Sequence, residues 1–188
     1  MKRVSISLGA VALIAGMTFS SQIPVVANIF QGGVAIAQNA KKGQVNLRLK
    51  AEKKIVTKDA QGKRKIIWQQ LSNGAQVERG EVLRYLITGA NNGEKPVKNL
   101  AINQKVPRGM VYVLNSATVD KNIEAEITYS IDGGKNYVKN PTVEVKLADG
   151  TVETRPAPDT AYTHLRLKFL KPIPGKGIFN GTYQTKVK

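Results

Sequence analysis

Strict alternation of apolar and polar residues is the feature that most constrains how this chain can fold. The clearest run is IEAEITYSI, residues 123–131, in which every second side chain is apolar. Because successive side chains of a strand leave opposite faces, such a run predicts a strand with one face buried. The same pattern recurs in VNLRLK (45–50), TVEVKL (142–147) and THLRLKFL (163–170). We therefore expect half-buried antiparallel strands along most of the chain after residue 43.

Turn residues separate these runs at intervals typical of an all-β protein. The dipeptides suited to tight hairpin turns are Asn73-Gly74, Asn92-Gly93 and Asp149-Gly150. The run MVYVL (110–114) follows a proline-glycine corner and is apolar on both faces, which predicts a deeply buried strand. No amphipathic helical segment of useful length is present. Short strands with turns at this spacing indicate an all-β sandwich or barrel.

The first residues predict export. MKR supplies positive charge, VSISLGAVALIAGMTF follows without any charge, and VAIA precedes Gln38. This is the order of a secretory signal peptide, which we expect to end at Ala37, with Ala27 as the alternative cleavage site. A retained membrane anchor is the other interpretation of the apolar run. We predict a signal peptide over 1–37, a short basic linker over 38–43 and one domain over 44–188, with no membrane span after cleavage.

The charge balance indicates the chemistry of a partner. The chain has 29 basic and 13 acidic residues, and its first third is especially basic. In an exported protein such a field favours anionic envelope polymers or lipid headgroups over DNA, and scarce aromatic residues argue against single-stranded nucleic acid. The alternative is a solvated face that keeps a sandwich soluble and protects its edge. The predicted anionic-polymer site consists of Lys53, Lys54, Lys58, Lys63, Arg64 and Lys65, with Trp68 and Tyr85 as a possible stacking surface.

Residues that could carry out catalysis are few. The chain has no cysteine, which excludes disulfides and thiolate metal sites, and its one histidine, His164, has no sign of a nucleophile turn beside it. Asp132-Gly133-Gly134 is typical of a turn, since a lysine follows where a calcium loop needs oxygen ligands. Glu124 and Glu126 fit neighbours on a solvated strand face better than a glycosidase pair. We therefore predict no enzyme activity, no catalytic residues, no metal site and no cofactor.

One long segment resembles a known family. Arg79-Gly80-Glu81 begins a strand that ends at Asn91-Asn92-Gly93, Val106-Pro107 with Gly109 forms a corner, and Tyr112-Val113 follows. This order is similar to the domain-of-unknown-function-eleven family, the conserved-repeat domain of bacterial and archaeal surface proteins. Two positions depart from it, since Gln104 and Glu81 stand where the family has aspartates. The resemblance covers roughly residues 44–187 and implies an immunoglobulin-like antiparallel β-sandwich with a structural role at the cell surface or in the periplasm, without known catalysis.

These observations lead to two functional hypotheses. The first is an exported, non-enzymatic β-sandwich with a structural or adhesive role at the cell envelope, in the periplasm or at the surface, where its partner would be another envelope protein. The second is a cationic binding module for anionic envelope polymers such as glycans or lipid headgroups. No nucleic-acid partner is expected, and the sequence does not determine the oligomeric state.

Overall fold

The computed structural model describes residues 44–71 and 75–188 of the 188-residue chain. The predicted signal peptide over 1–37, the linker over 38–43 and the predicted turn at Asn73-Gly74 lie outside these residues. Everything regular in the described part is strand, apart from one 3-10 turn at Asp159–Ala161. The strands are β1 Val45–Lys58, β2 Arg64–Gln70, β3 Val82–Asn91, β4 Ala101–Lys105, β5 Met110–Tyr112, β6 Thr118–Val119, β7 Ala125–Ser130, β8 Thr142–Lys146, β9 Val152–Pro156, β10 His164–Phe169 and β11 Ile178–Val187.

The strands form two main antiparallel sheets. The first has the order β2-β1-β3-β11-β5, and β6 also pairs with β11, so β5 and β6 act as one interrupted edge strand. The second has the order β4-β10-β7. Among the described strands, β8 and β9 pair only with each other and form a separate hairpin.

The core lies between the inward faces of the two sheets. From the first sheet come the buried side chains of Leu83, Tyr85 and Ile87, and from the second those of Leu165 and Leu167. Each set comes from alternate residues of one strand, as expected when one face of a strand packs against another sheet. The predicted all-β fold and the antiparallel sandwich are confirmed.

The layer sizes match those of an immunoglobulin constant domain, but two strands exchange places. Without β2 and the β8–β9 hairpin, and with β5 and β6 counted once, four strands face three. Lettered A to G in chain order, they form sheets A-B-G-D and C-F-E. The immunoglobulin constant arrangement is A-B-E-D and C-F-G. The last strand of this chain, β11, therefore occupies the centre of the larger sheet beside β3.

The chain around Asn92-Gly93 is not a hairpin, because the flanking strands β3 and β4 belong to different sheets. The buried side chain of Asn91 organises this connection. Its Nδ2 donates to the carbonyls of Lys95 at 2.9 Å and Pro174 at 2.8 Å, and its Oδ1 accepts the N–H of Gly93 at 3.1 Å. A buried amide thus replaces the tight turn that the dipeptide predicts.

Two apolar runs are less buried than their sequences predict. MVYVL contains only the short edge strand β5, and Leu114 beyond it is 44% exposed. TVEVKL forms β8, which pairs with β9 and with no strand of either main sheet, so its alternation does not indicate a strand over the core. Asp149-Gly150 does form the turn of that hairpin, with Gly150 at a positive φ of 87°.

Candidate anion-binding face

The outer face of the first sheet is made of the even-numbered residues of β1, β2, β3 and β11. The register pairs even with even throughout: Lys54 lies opposite Trp68, Lys50 opposite Leu86, and Leu86 opposite Thr182. Opposed residues in an antiparallel pair share a face, so the whole set lies on one side of the sheet. The odd-numbered residues of β3 and β11, such as Leu83 and Tyr183, are buried on the other side.

The charges on this outer face are almost all positive. Its one acidic residue is Glu52, within those four strands. Seven basic residues against this one acid give the face a formal net charge of +6. We call this set of even-numbered residues the cationic face. Its basic members are Arg48, Lys50, Lys54, Lys58, Arg64, Arg84 and Lys186.

Glu52 is already neutralised by its neighbour on β3. The Nε of Arg84 donates to Glu52 Oε2 at 2.8 Å, and a second guanidinium nitrogen contacts the same oxygen. The same guanidinium carbon lies 4.2 Å from the centroid of the Trp68 ring. This cation–π contact sets the indole beside Arg84 on the outer face of the sheet. Glu52, the only acidic residue of the face, is therefore paired with Arg84 and does not oppose the charge of the other basic side chains.

The other six basic side chains of the face have no ion-pair partner among the described residues. Four of them lie on β1, where Arg48 and Lys50 are exposed, Lys54 is half-buried and Lys58 is exposed. Arg64 and Lys186 are also exposed. One acid borders the far side of the face: the Asp120 carboxylate accepts the backbone N–H of Asn180 at 2.9 Å. The positive charge is thus concentrated on the β1–β2 side.

Apolar side chains are interleaved with these charges. Val56 and Ile66 lie directly opposite each other and are 47% and 52% exposed. The pair Lys58 and Arg64 flanks them on one side, and the pair Lys54 and Trp68 flanks them on the other. Unpaired cations thus surround an exposed aliphatic pair on this part of the face, and solubility alone does not require the apolar part.

The structure divides the six basic residues predicted as a site. Lys54, Lys58 and Arg64 lie together on the cationic face. Lys53 and Lys65, being odd-numbered, lie on the opposite side of the two strands, and Lys53 forms an ion pair with Glu81 at 2.6 Å. Lys63 lies in the turn before β2, where its backbone N–H donates to the Asp59 carboxylate at 2.8 Å.

Four basic members of the face were not in the predicted site. Arg48 and Lys50 share the parity of Lys54 along β1, so the alternation itself could have identified them. Arg84 and Lys186 lie on β3 and β11, and they join the face only through strand pairing. Of the two residues predicted as a stacking surface, Trp68 lies on the cationic face. Tyr85 does not, because its ring is buried and stacks on Tyr183 at 4.8 Å between centroids.

His164 and Asp132, the two other titratable residues considered from the sequence, are held by packing and by a turn. His164 is 4% exposed, and Gly134 packs against its ring. The pKa of His164 is lowered mainly by this burial and, to a smaller extent, by the positive charge of Lys105. The Asp132 carboxylate accepts the backbone N–H groups of Lys135 and Asn136, and these bonds, led by that of Asn136, lower its pKa. This network is a turn, as predicted.

Glu124 and Glu126, which the sequence indicates are neighbours on a solvated strand face, each pair with a lysine. Glu124 pairs with Lys171 at 2.5 Å and Glu126 with Lys139 at 3.2 Å. Across residues 44–71 and 75–188, no three His, Cys, Asp or Glu side chains form a group that could hold a metal ion. The same residues include no helix with the length and apolar character that a membrane crossing requires.

Comparison of the chain with family models, curated proteins and solved structures finds no significant match.

Proposed function

We propose that this chain is an exported, non-enzymatic protein that holds polyanionic material of the cell envelope on its cationic face. The observation that carries the proposal is the formal +6 charge of that face, with its single acid already paired to Arg84. The predicted signal peptide and the resemblance to surface-protein domains support an envelope location. Of the two hypotheses drawn from the sequence, the cationic binding module therefore comes first.

The spacing of the cations suits a ligand with repeated charges. Alternate residues of a strand lie roughly 7 Å apart, which is less than the Debye length of about 8 Å at physiological ionic strength. The two charges of each close pair, Arg48 with Lys50 along β1 and Lys58 with Arg64 across the β1–β2 pair, therefore act on the same part of a ligand. A basic residue near an anionic surface contributes about 1 kcal/mol. Repeated phosphate or carboxylate groups would add such contributions, whereas a single anion would receive only one or two.

The test removes three charges of the cationic face together, in a Lys54→Gln, Lys58→Gln, Arg64→Gln variant. At about 1 kcal/mol each, their loss should weaken binding to polyphosphate about a hundredfold at low salt. Binding of the unmodified protein should itself fall steeply as salt rises, because exposed charges are screened. A titration of polyphosphate at several ionic strengths measures both effects.

A matched control removes the same charge elsewhere. Lys121→Gln, Lys135→Gln and Lys146→Gln change three exposed lysines that lie outside the cationic face and have no ion-pair partner in the described part. This variant should bind within about twofold of the unmodified protein, since only long-range attraction changes. Equal losses in the two triple variants would mean that net charge, and not the cationic face, attracts the ligand.

A structural or adhesive role through strand pairing is the second candidate, and one observation favours it. β2 is the end strand of the first sheet, and within the described residues its outer edge has no partner strand. Such an edge can pair with a strand of another chain through backbone hydrogen bonds, which salt hardly weakens. Self-association that persists at high salt in sedimentation experiments would support this role. A monomer at every ionic strength would contradict it.

A further inference from the structure

We propose that the polyanion bound by the cationic face is the headgroup plane of an anionic lipid bilayer, with Val56, Ile66 and Trp68 inserted at the interface. This inference rests on the function proposed above and names its ligand. It is carried by the apolar side chains of the face, which the binding of a soluble polyanion leaves unexplained.

The first step of the argument is the order of side chains along the two strands. On the cationic face the sequence runs Lys58 and Arg64, then Val56 and Ile66, then Lys54 and Trp68. The one aliphatic pair thus has cations on both sides. Long basic side chains can keep their charge at the headgroups while aliphatic neighbours reach the acyl boundary, and indole rings favour the same interface.

The second step is access. β1 pairs with β3 only as far as Lys53, whereas its pairing with β2 continues to Lys58. Residues 54–58 and 64–68 therefore form a two-stranded ribbon that continues beyond the pairing with β3. Because this ribbon lies at the edge of the sheet, it can contact an extended surface without any change in the packing of the core. Its exposed aliphatic residues would then leave water on docking.

The third step separates lipid from soluble polymer. A hydrated polyanion satisfies the cations but leaves Val56 and Ile66 in water, so it gains nothing from them. A bilayer offers anionic groups and apolar chains within a few ångströms of each other, which matches both classes of side chain on the face. Removal of an aliphatic group should therefore weaken vesicle binding and leave polyphosphate binding unchanged.

The chain supplies its own matched control for this test. Ile66 and Ile67 are neighbours in β2, are 52% and 44% exposed, and lie on opposite faces. Threonine keeps the β-branch that suits a strand, so Ile66→Thr and Ile67→Thr should perturb folding alike. Both variants are purified from the same bacterial host, so the residues before Gln44 are the same in the two proteins. Any contribution of these residues to binding therefore cancels when the two variants are compared.

Binding is measured to phosphatidylcholine vesicles with and without phosphatidylglycerol, and to polyphosphate. We expect Ile66→Thr to weaken binding to the phosphatidylglycerol vesicles about fivefold, from the loss of half an isoleucine side chain buried in the interface. Ile67→Thr should stay within about twofold, and polyphosphate binding should be unchanged in both. Equal vesicle binding by the two variants would overturn the lipid proposal, and the polyanion function would still stand.

Trp68 gives an independent readout in the unmodified protein, because it is the only tryptophan of the chain. Its fluorescence emission should shift to the blue on addition of phosphatidylglycerol vesicles and stay constant with polyphosphate. Binding to both ligands without any shift would contradict insertion, while it would leave attachment through charge intact. Binding to neither ligand would overturn the proposed function together with this inference.

Discussion

His164 shows how the surroundings of one residue can differ from what its position in a strand predicts. The alternation of β10 places it on the outer side of the second sheet, beside Arg166 and Lys168 in sequence. The chain after β7 covers that side: Gly134 packs against the imidazole, and the Tyr137 ring lies 3.7 Å from the guanidinium carbon of Arg166. An outward-facing histidine is therefore buried without being part of the core.

This burial predicts how stability depends on pH. The pKa of His164 is lower in the folded protein than its ordinary value of about 6.5, so the unfolded chain binds the proton more readily. The contribution of neutral His164 is present above that value and is lost as the pH falls through the folded pKa. We expect the melting temperature to decrease between pH of about 7.5 and about 5, as measured by circular dichroism.

The control for this prediction is His164→Gln, which should remove the decrease in that pH range. A second decrease in melting temperature, at more acidic pH, should remain in the variant. The pKa of Asp132 is lowered by its hydrogen bonds, so the stability that its carboxylate contributes is lost only when that carboxylate is protonated. The same slope in both proteins above pH of about 5 would show that another group is responsible.

Adjacent lysines give the sharpest residue-scale lesson on prediction from sequence. Lys53 and Lys54 both belonged to the predicted site, yet they lie on opposite faces, and Lys53 is bound to Glu81. Strand parity was available in the sequence and would have separated them. The ion pair with Glu81 was not, because it joins positions 28 residues apart through the pairing of β1 with β3.

At the scale of elements, alternation identified strands but could not tell what would cover them. β7 and β8 have similar patterns, and only β7 pairs into a main sheet over the core. The apolar side of β8 remains half-exposed at Val143 and Val145. A local pattern indicates that a strand has two unlike faces, whereas burial of the apolar face depends on contacts made elsewhere in the chain.

The independence of the β8–β9 hairpin leads to a prediction about its removal. Val143 lies opposite Arg155, so an Asn-Gly dipeptide can replace residues 144–154 and join them as a two-residue turn. Because neither strand pairs with the main sheets, the melting temperature should change by less than about 3 °C. Thermal unfolding measures this. A much larger decrease would show that the hairpin supports the sandwich.

At the scale of the whole molecule, charge is distributed unevenly. Residues 120–159 carry eight acidic and five basic side chains, a net charge of −3 in a chain of +16. They include β7, which lies near the edge strand β5 through the contact of Tyr129 with Tyr112, at the opposite end of the first sheet from β2. Such an asymmetry orients the protein as it approaches an anionic surface, with the cationic face leading.

The sequence was sufficient for the strand content, the sandwich layers and the basic character of the first third. It was not sufficient for the cationic face, which requires the registers of three strand pairs. Arg84 and Lys186 are 102 positions apart and share the face only because β3 and β11 are neighbours. No local pattern contains that pairing, so the full site became visible only in the folded chain.

The turn at Asp149-Gly150 has a practical consequence. It joins the two strands of a hairpin that pairs with neither main sheet, and both of its residues are exposed. An epitope or a fluorophore inserted there would leave both sheets and the cationic face untouched. A chain immobilised through this turn would be attached by the β8–β9 hairpin, and the surface that we expect to meet lipid would remain open to solution.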